Sequence, residues 1–172
     1  YIVNTVKPHI DGGYRTLTDG ANTATMGSSM GGVVSFYMGY DWNSRFKRIG
    51  AMSTAFWLIP NYTNFIKNQG ARDLRVYMDS GDSGSTSGGN NADGYWDTYG
   101  VRDNFCGGQP AKYALEGALE HLIGFGQVHN ETAWAAPLPG ALIHRFPGQG
   151  APNTLLREVF GPHWDRNADG AM

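Results

Sequence analysis

The 172-residue sequence contains one cysteine, Cys106, so neither an intrachain disulfide nor a thiolate metal cluster can form. Charge is also scarce, at 16% of residues with a formal net charge of -2. The 13 Lys and Arg residues are scattered along the chain, whereas neutralising a phosphate backbone takes clustered cations. Nucleic acid is therefore not an expected partner. No apolar run reaches the roughly 18 residues that a bilayer span requires, so a membrane is not expected either. Tyr1 is preceded by neither an initiator Met nor a signal-like segment. This raises the expectation that an upstream part has been removed, or that the chain is a piece of something longer.

Glycine, at 25 residues, and aromatics, at 13%, are abundant. Glycine clusters mark sharp turns and close backbone approaches. The densest lie at Gly27 to Gly32, Gly81 to Gly94 and Gly124 to Gly126. Around them, strand-like and helix-like segments alternate. Ile2, Val3, Val6 and Ile10 have helical spacing, interrupted near Pro8 and ended by Asp11-Gly12-Gly13. Thr23 to Met26 reads as a buried strand leading into Gly27, and Ser29 to about Tyr40 as a helix. Arg48 to Met52 predicts a strand, Asn61 to Asn68 a short helix, and Leu74 to Asp79 another strand. A helix is predicted from Tyr95 to Phe105, a strand from Ala118 to Ile123, and a last helix from Asn130 towards Phe146, disturbed by Pro137 and Pro139. Such alternation implies β-α-β units in an α/β fold with a mostly parallel sheet. Functional residues then gather on loops at the carboxyl ends of the strands, where all three glycine clusters fall.

Gly27-Ser28-Ser29-Met30-Gly31 fits the pattern G-x-S-x-G, in which a strand turns abruptly into a helix with serine at the apex. The bare pattern is weak evidence, because this composition alone yields about 0.2 matches by chance. Its context, a strand before and a helix after, strengthens it. A serine nucleophile needs a base, and in this architecture the order along the chain is Ser, acid, His. His9 precedes the serine, His121 lies in a predicted strand, His144 sits late in the last helix and His163 lies in the tail. His129 follows a strand and a glycine turn and precedes a helix, which suits a general base; as a bland alternative it would cap that helix. The acid candidates are Asp79, Asp82, Asp93 and Asp97. Asp93, at the end of the long loop, is preferred over Asp82.

Several separated stretches resemble the putative esterase family, which includes esterase D, enterochelin esterases, and feruloyl and acetylxylan esterases. They are Tyr14-Arg15-Thr16, Asn22-Thr23-Ala24, Gly27 to Gly32, Ser53-Thr54-Ala55-Phe56-Trp57, Tyr77 to Gly81, His129 to Trp134 and Leu138 to Leu142. The resemblance implies an α/β-hydrolase fold over residues 1–147, an irregular extension over 148–172, and ester hydrolysis through an acyl-enzyme with no cofactor and no metal. It maps the nucleophile onto Ser29 and the base onto His129. The family usually has an Asp soon after a Gly at the acid position; here the loop Ser83 to Asn91 looks inserted before Asp93. Only 28 residues precede Ser29, fewer than the family's several strands before the elbow. The chain is therefore expected to be a fragment, or to pair with a separate N-terminal piece, with the Met30 N–H as one oxyanion donor and the second absent from this sequence.

Trp57, Trp96 and Trp134, with Phe56 and Tyr95, are candidate substrate contacts, although packing alone would also account for them. The expected substrate is a small-molecule or polysaccharide ester, foremost the feruloyl or acetyl-xylan esters of plant cell walls. A siderophore ester, acyl transfer, or a binding protein of hydrolase fold without turnover are the competing readings. Asp165-Arg166-Asn167-Ala168-Asp169-Gly170 matches the first half of an EF-hand-type loop, which would point to an extracellular enzyme; a solvated acidic tail is the plainer reading. Asn61-Tyr62-Thr63 and Asn130-Glu131-Thr132 match glycosylation acceptors by accident.

Overall fold

The computed structural model describes residues 1–83, 118–146 and 164–166. Five strands form one sheet in the order β1-β2-β3-β4-β5. They are β1 (Ala24–Ser28), β2 (Arg48–Met52), β3 (Arg75–Gly81), β4 (Leu119–Gly124) and β5 (Trp164–Arg166). The first four run parallel, in registers such as Ser28 with Met52, Met52 with Asp79, and Asp79 with Leu122. Their carboxyl ends therefore form one rim. β5 is antiparallel to β4, with Asp165 opposite Ile123.

Strand pleating divides the apolar residues between two faces. Ile49, Ala51, Val76, Met78 and Leu119 pack on one face against Phe36 and Tyr40 of helix α2 (Met30–Asp41) and Ile66 of helix α3 (Pro60–Lys67). Phe36 meets Phe56 edge-on at 5.1 Å, and each such fully buried side chain contributes about 1.5–3 kcal/mol. On the other face Met52, Tyr77 and Leu122 pack with Met26, Trp134, Ala141 and Ile143.

The first segment is helical and changes type beside Pro8, from one turn of π-helix, Ile2–Val6, to helix α1 (Lys7–Gly13), which ends at the expected glycines. Two expectations need correction. The single helix expected from Asn130 to Phe146 is two, α4 (Glu131–Ala135) and α5 (Leu138–Arg145). Pro137 has no N–H to continue the first helix, and Pro139 falls in the opening turn of the second, where proline is tolerated. Finally, the tail expected to be irregular contains β5. Asp165 and Arg166 lie in extended pairing with β4 rather than in a loop, and residues 167–170 of the calcium-like motif are outside the described residues.

Candidate active site

At the rim, β1 turns into α2 through Ser29, which adopts φ 53, ψ -119. Non-glycine residues seldom take positive φ, and strain of this kind concentrates at functional sites. The turn is closed sterically. A Cβ at Gly27 would lie 2.5 Å from the Gly31 carbonyl, and one at Gly32 would lie 2.2 Å from Thr54 Oγ1. Gly32, outside the sequence pattern, is thus constrained as well, by the Thr54 side chain where Gly27 is constrained by backbone. The backbone of Ser29 is held on both sides. Its N–H donates to Met52 O at 3.0 Å, and its carbonyl accepts from Ala55 N at 3.2 Å and from Val33 N at 3.2 Å.

His129 arrives from β4 through the turn Phe125 to Val128. Gly126 takes φ 71, and its N–H donates to Asp82 Oδ1 at 2.7 Å. Ser83 N donates to Gln127 O at 3.1 Å, and a Cβ on Gly81 would come within 2.2 Å of that same carbonyl. The ends of β3 and of the His129 loop are therefore in direct backbone contact. The helix α4 that follows is capped by Asn130, whose side chain accepts from Ala133 N at 2.9 Å. The capping role considered for His129 belongs to its neighbour, which leaves the imidazole for other work.

His129 Nε2 lies 2.9 Å from Ser29 Oγ, across 100 residues of sequence. Two indoles line the ring edge-on, Trp134 at 4.9 Å and Trp57 at 5.8 Å between centroids. Trp134 Nε1 is buried without a hydrogen-bond partner among the described residues. Met30 is the first residue of α2, so its N–H is one of those that helix geometry leaves without an internal acceptor. The Ser29 N–H, committed to Met52 O, is not available to a ligand. Among the described residues Asp82 accepts from the Gly126 N–H and, at 3.2 Å, from the Ser83 hydroxyl. Asp93, Asp97 and Trp96 lie outside the described residues.

Among the described residues the other histidines lie elsewhere: His9 is exposed on α1, His121 is fully buried within β4 and His144 is on α5, whereas His163 is outside the described residues. Among the described residues no group of three or more His, Cys, Asp or Glu side chains gathers as metal ligands. Asp79, considered above as an acid, lies inside β3 and is fully buried. Ser53, with φ 37, is the second strained non-glycine residue. Neither strain nor the grip of residues 52–55 on Ser29 leaves a mark in the order of residues.

Comparison with known proteins places this arrangement. The family model described as Putative esterase matches residues 1–145. Among solved structures, ferric enterobactin esterase from Salmonella typhimurium superposes with a TM-score of 0.66 at 16% identity, over 84% of this chain and 35% of that one. Enterobactin esterase from Shigella flexneri, solved in the presence of enterobactin, gives 0.61 at 19% identity over 84% and 36%. A ferulic acid esterase gives 0.63 at 15% identity over 92% and 60%. The chain thus spans about a third of the two enterobactin esterases and 60% of the ferulic acid esterase. These likenesses show the fold, which is of the α/β-hydrolase type. No curated protein sequence matches the chain.

Proposed function

Because the chain belongs to the putative esterase family, we propose that it carries the nucleophile and base of a serine carboxylesterase acting through an acyl-enzyme. The observation that carries this reading is the 2.9 Å contact between Ser29 Oγ and His129 Nε2, made by a serine with strained backbone at the rim of a parallel sheet. In the resting site the Ser29 hydroxyl donates to Nε2 of an imidazole protonated at Nδ1. As Oγ attacks the ester carbonyl carbon, Nε2 takes the hydroxyl proton and the carbonyl oxygen gains negative charge beside the Met30 N–H. Collapse of this intermediate breaks the bond to the alcohol, which leaves with the proton from Nε2. Water then attacks the acyl group, gives its proton to Nε2, and the acid departs as Oγ is reprotonated.

Asp93 is the proposed partner of Nδ1. Asp82 is the second choice, since its carboxylate already serves the Gly126 N–H. A second oxyanion donor is assigned to another segment, lying along β1, which is an edge strand among the described residues. Trp57 and Trp134, with Trp96, are the proposed substrate walls, and flat indole faces suit aromatic acyl groups and sugars. This favours feruloyl or acetyl-xylan esters of plant cell walls. A phenolic siderophore ester is the second reading, favoured by the same walls and by the likeness to enterobactin esterases.

Two measurements on the full chain test the proposal. A fluorophosphonate should label Ser29 covalently, and the Ser29→Ala variant should not be labelled; an unlabelled wild-type protein means a hydrolase fold without turnover. Rates on methyl ferulate, acetylated xylan and a catecholate siderophore ester then rank the substrates, and a preference for the last replaces the cell-wall reading.

A further inference from the structure

The main-chain partners of Ser29 outside its own helix come from one short stretch. Met52 O accepts the Ser29 N–H, and Ala55 N–H donates to the Ser29 carbonyl. Between them Ser53 takes φ 37, a left-handed conformation that a serine does not hold unless its surroundings impose it. The imposing group is on the next strand. Ser53 N–H lies 2.8 Å from Asp79 Oδ1 and 2.9 Å from Asp79 O. The other carboxylate oxygen, Oδ2, accepts from Tyr77 OH at 2.6 Å. Tyr77, Asp79 and Ser53 are all buried.

A carboxylate buried in this way is costly unless donors surround it. The bonds of Asp79 to Ser53 and Tyr77 serve one geometric end. β2 and β3 stay in register through Met52 and Asp79. Beyond that pair the chain must leave the sheet so that residue 55 can return to Ser29. We infer that Asp79 is a positioning residue for the nucleophile. Oriented by the Tyr77 hydroxyl, its carboxylate fixes the bend at Ser53, and that bend places Met52 O and Ala55 N–H on either side of the Ser29 backbone. The inference rests on the reading of Ser29 as nucleophile. It extends the site by one strand, to a residue whose carboxylate bonds Ser53 and Tyr77.

The test uses the full chain with Asp79→Ala, Asp79→Asn and Tyr77→Phe. Amide hydrogen exchange at Ser29 and Ala55 reads the frame directly, and kcat and KM for a nitrophenyl ester read its use. Asp79→Ala should speed exchange at both amides by about tenfold or more and lower kcat by a similar factor with KM within about twofold. Asp79→Asn, whose amide oxygen still accepts the Ser53 N–H, should restore most of both. Tyr77→Phe should give an intermediate effect. A folded Asp79→Ala protein with unchanged exchange at Ser29 overturns the inference. So does a loss in Asp79→Ala that Asp79→Asn fails to recover, since charge and not the bond to Ser53 would then be responsible. If Asp79→Ala does not fold, Tyr77→Phe decides: unchanged exchange at Ser29 overturns the inference, and faster exchange supports it. Exchange that responds as expected in a protein whose Ser29 takes no fluorophosphonate supports the positioning and removes the esterase reading instead.

Discussion

Ser29 and His129 meet at 2.9 Å but are held by different means. The serine is fixed by main chain. Its φ of 53 is enforced by hydrogen bonds to Met52 and Ala55 and by glycines packed too closely for a Cβ. The histidine ring is fixed by side chains, two indoles set edge-on to it, while the turn that delivers it is held by the Asp82 carboxylate together with main-chain bonds to the end of β3. A main-chain frame tolerates almost no change in local volume. A side-chain frame can be altered one contact at a time, so the two halves of the site should fail in different ways when mutated.

The largest effects come at the two residues themselves. Ser29→Ala and His129→Ala should each reduce kcat on a nitrophenyl ester by about 10⁴-fold or more. Their stabilities should nevertheless diverge from those of a strain-relieving change. Ser29→Gly should be as inactive as Ser29→Ala and more stable than it by about 1 kcal/mol, because glycine accepts positive φ freely. Equal melting temperatures for the two would break the claim that the serine is strained. Next in size is Gly32→Ala, whose added methyl meets Thr54 Oγ1 at 2.2 Å. It should cost about 1–3 kcal/mol in denaturant unfolding and slow fluorophosphonate labelling as the elbow shifts.

On the histidine side Asp82→Ala should cost about 1 kcal/mol by orphaning the Gly126 N–H, while Asp82→Asn, which keeps an acceptor, should stay within about tenfold of wild-type kcat. A loss near 10⁴-fold in Asp82→Asn would instead make Asp82 the acid of the triad. The smallest effect is expected for Trp134→Phe. The ring contact with His129 is retained and a buried N–H without a partner is removed, so stability should be unchanged or rise by up to about 1 kcal/mol. Any rise in KM for methyl ferulate would then belong to the substrate wall.

Local signals made much of this readable in advance. Arg48 to Met52, an apolar run between polar neighbours, forms β2 over those same residues, and the glycine pattern around Ser29 marks a steric demand that any fold must meet. Non-local pairings were hidden. Asp82, one residue past a strand and a glycine, is read as an acid candidate, and its bond to the Gly126 N–H, 44 residues away, has no sequence signal. Asp79 reads as the last residue of a predicted strand and one of four acid candidates, and only the neighbouring strand's bend at Ser53 gives it a positioning task. β5 is three residues long, too short to show alternation, and its pairing depends on the open edge of β4.

The proline break between α4 and α5 leaves the short first piece with two duties of its own. Trp134 on α4 stands against His129 and also packs with Met52, Tyr77 and Leu122, while Ala141 and Ile143 on α5 pack with the same face of the sheet. Pro137 ends the backbone hydrogen bonding of the first piece, so the exposed side of α4 can vary while Ala133 and Trp134 stay packed. Changing Glu131, Thr132, Ala135 and Ala136, all exposed, would alter the surface beside His129 while Trp134 and α5 keep the sheet covered, and that makes these positions the natural place to alter ester preference.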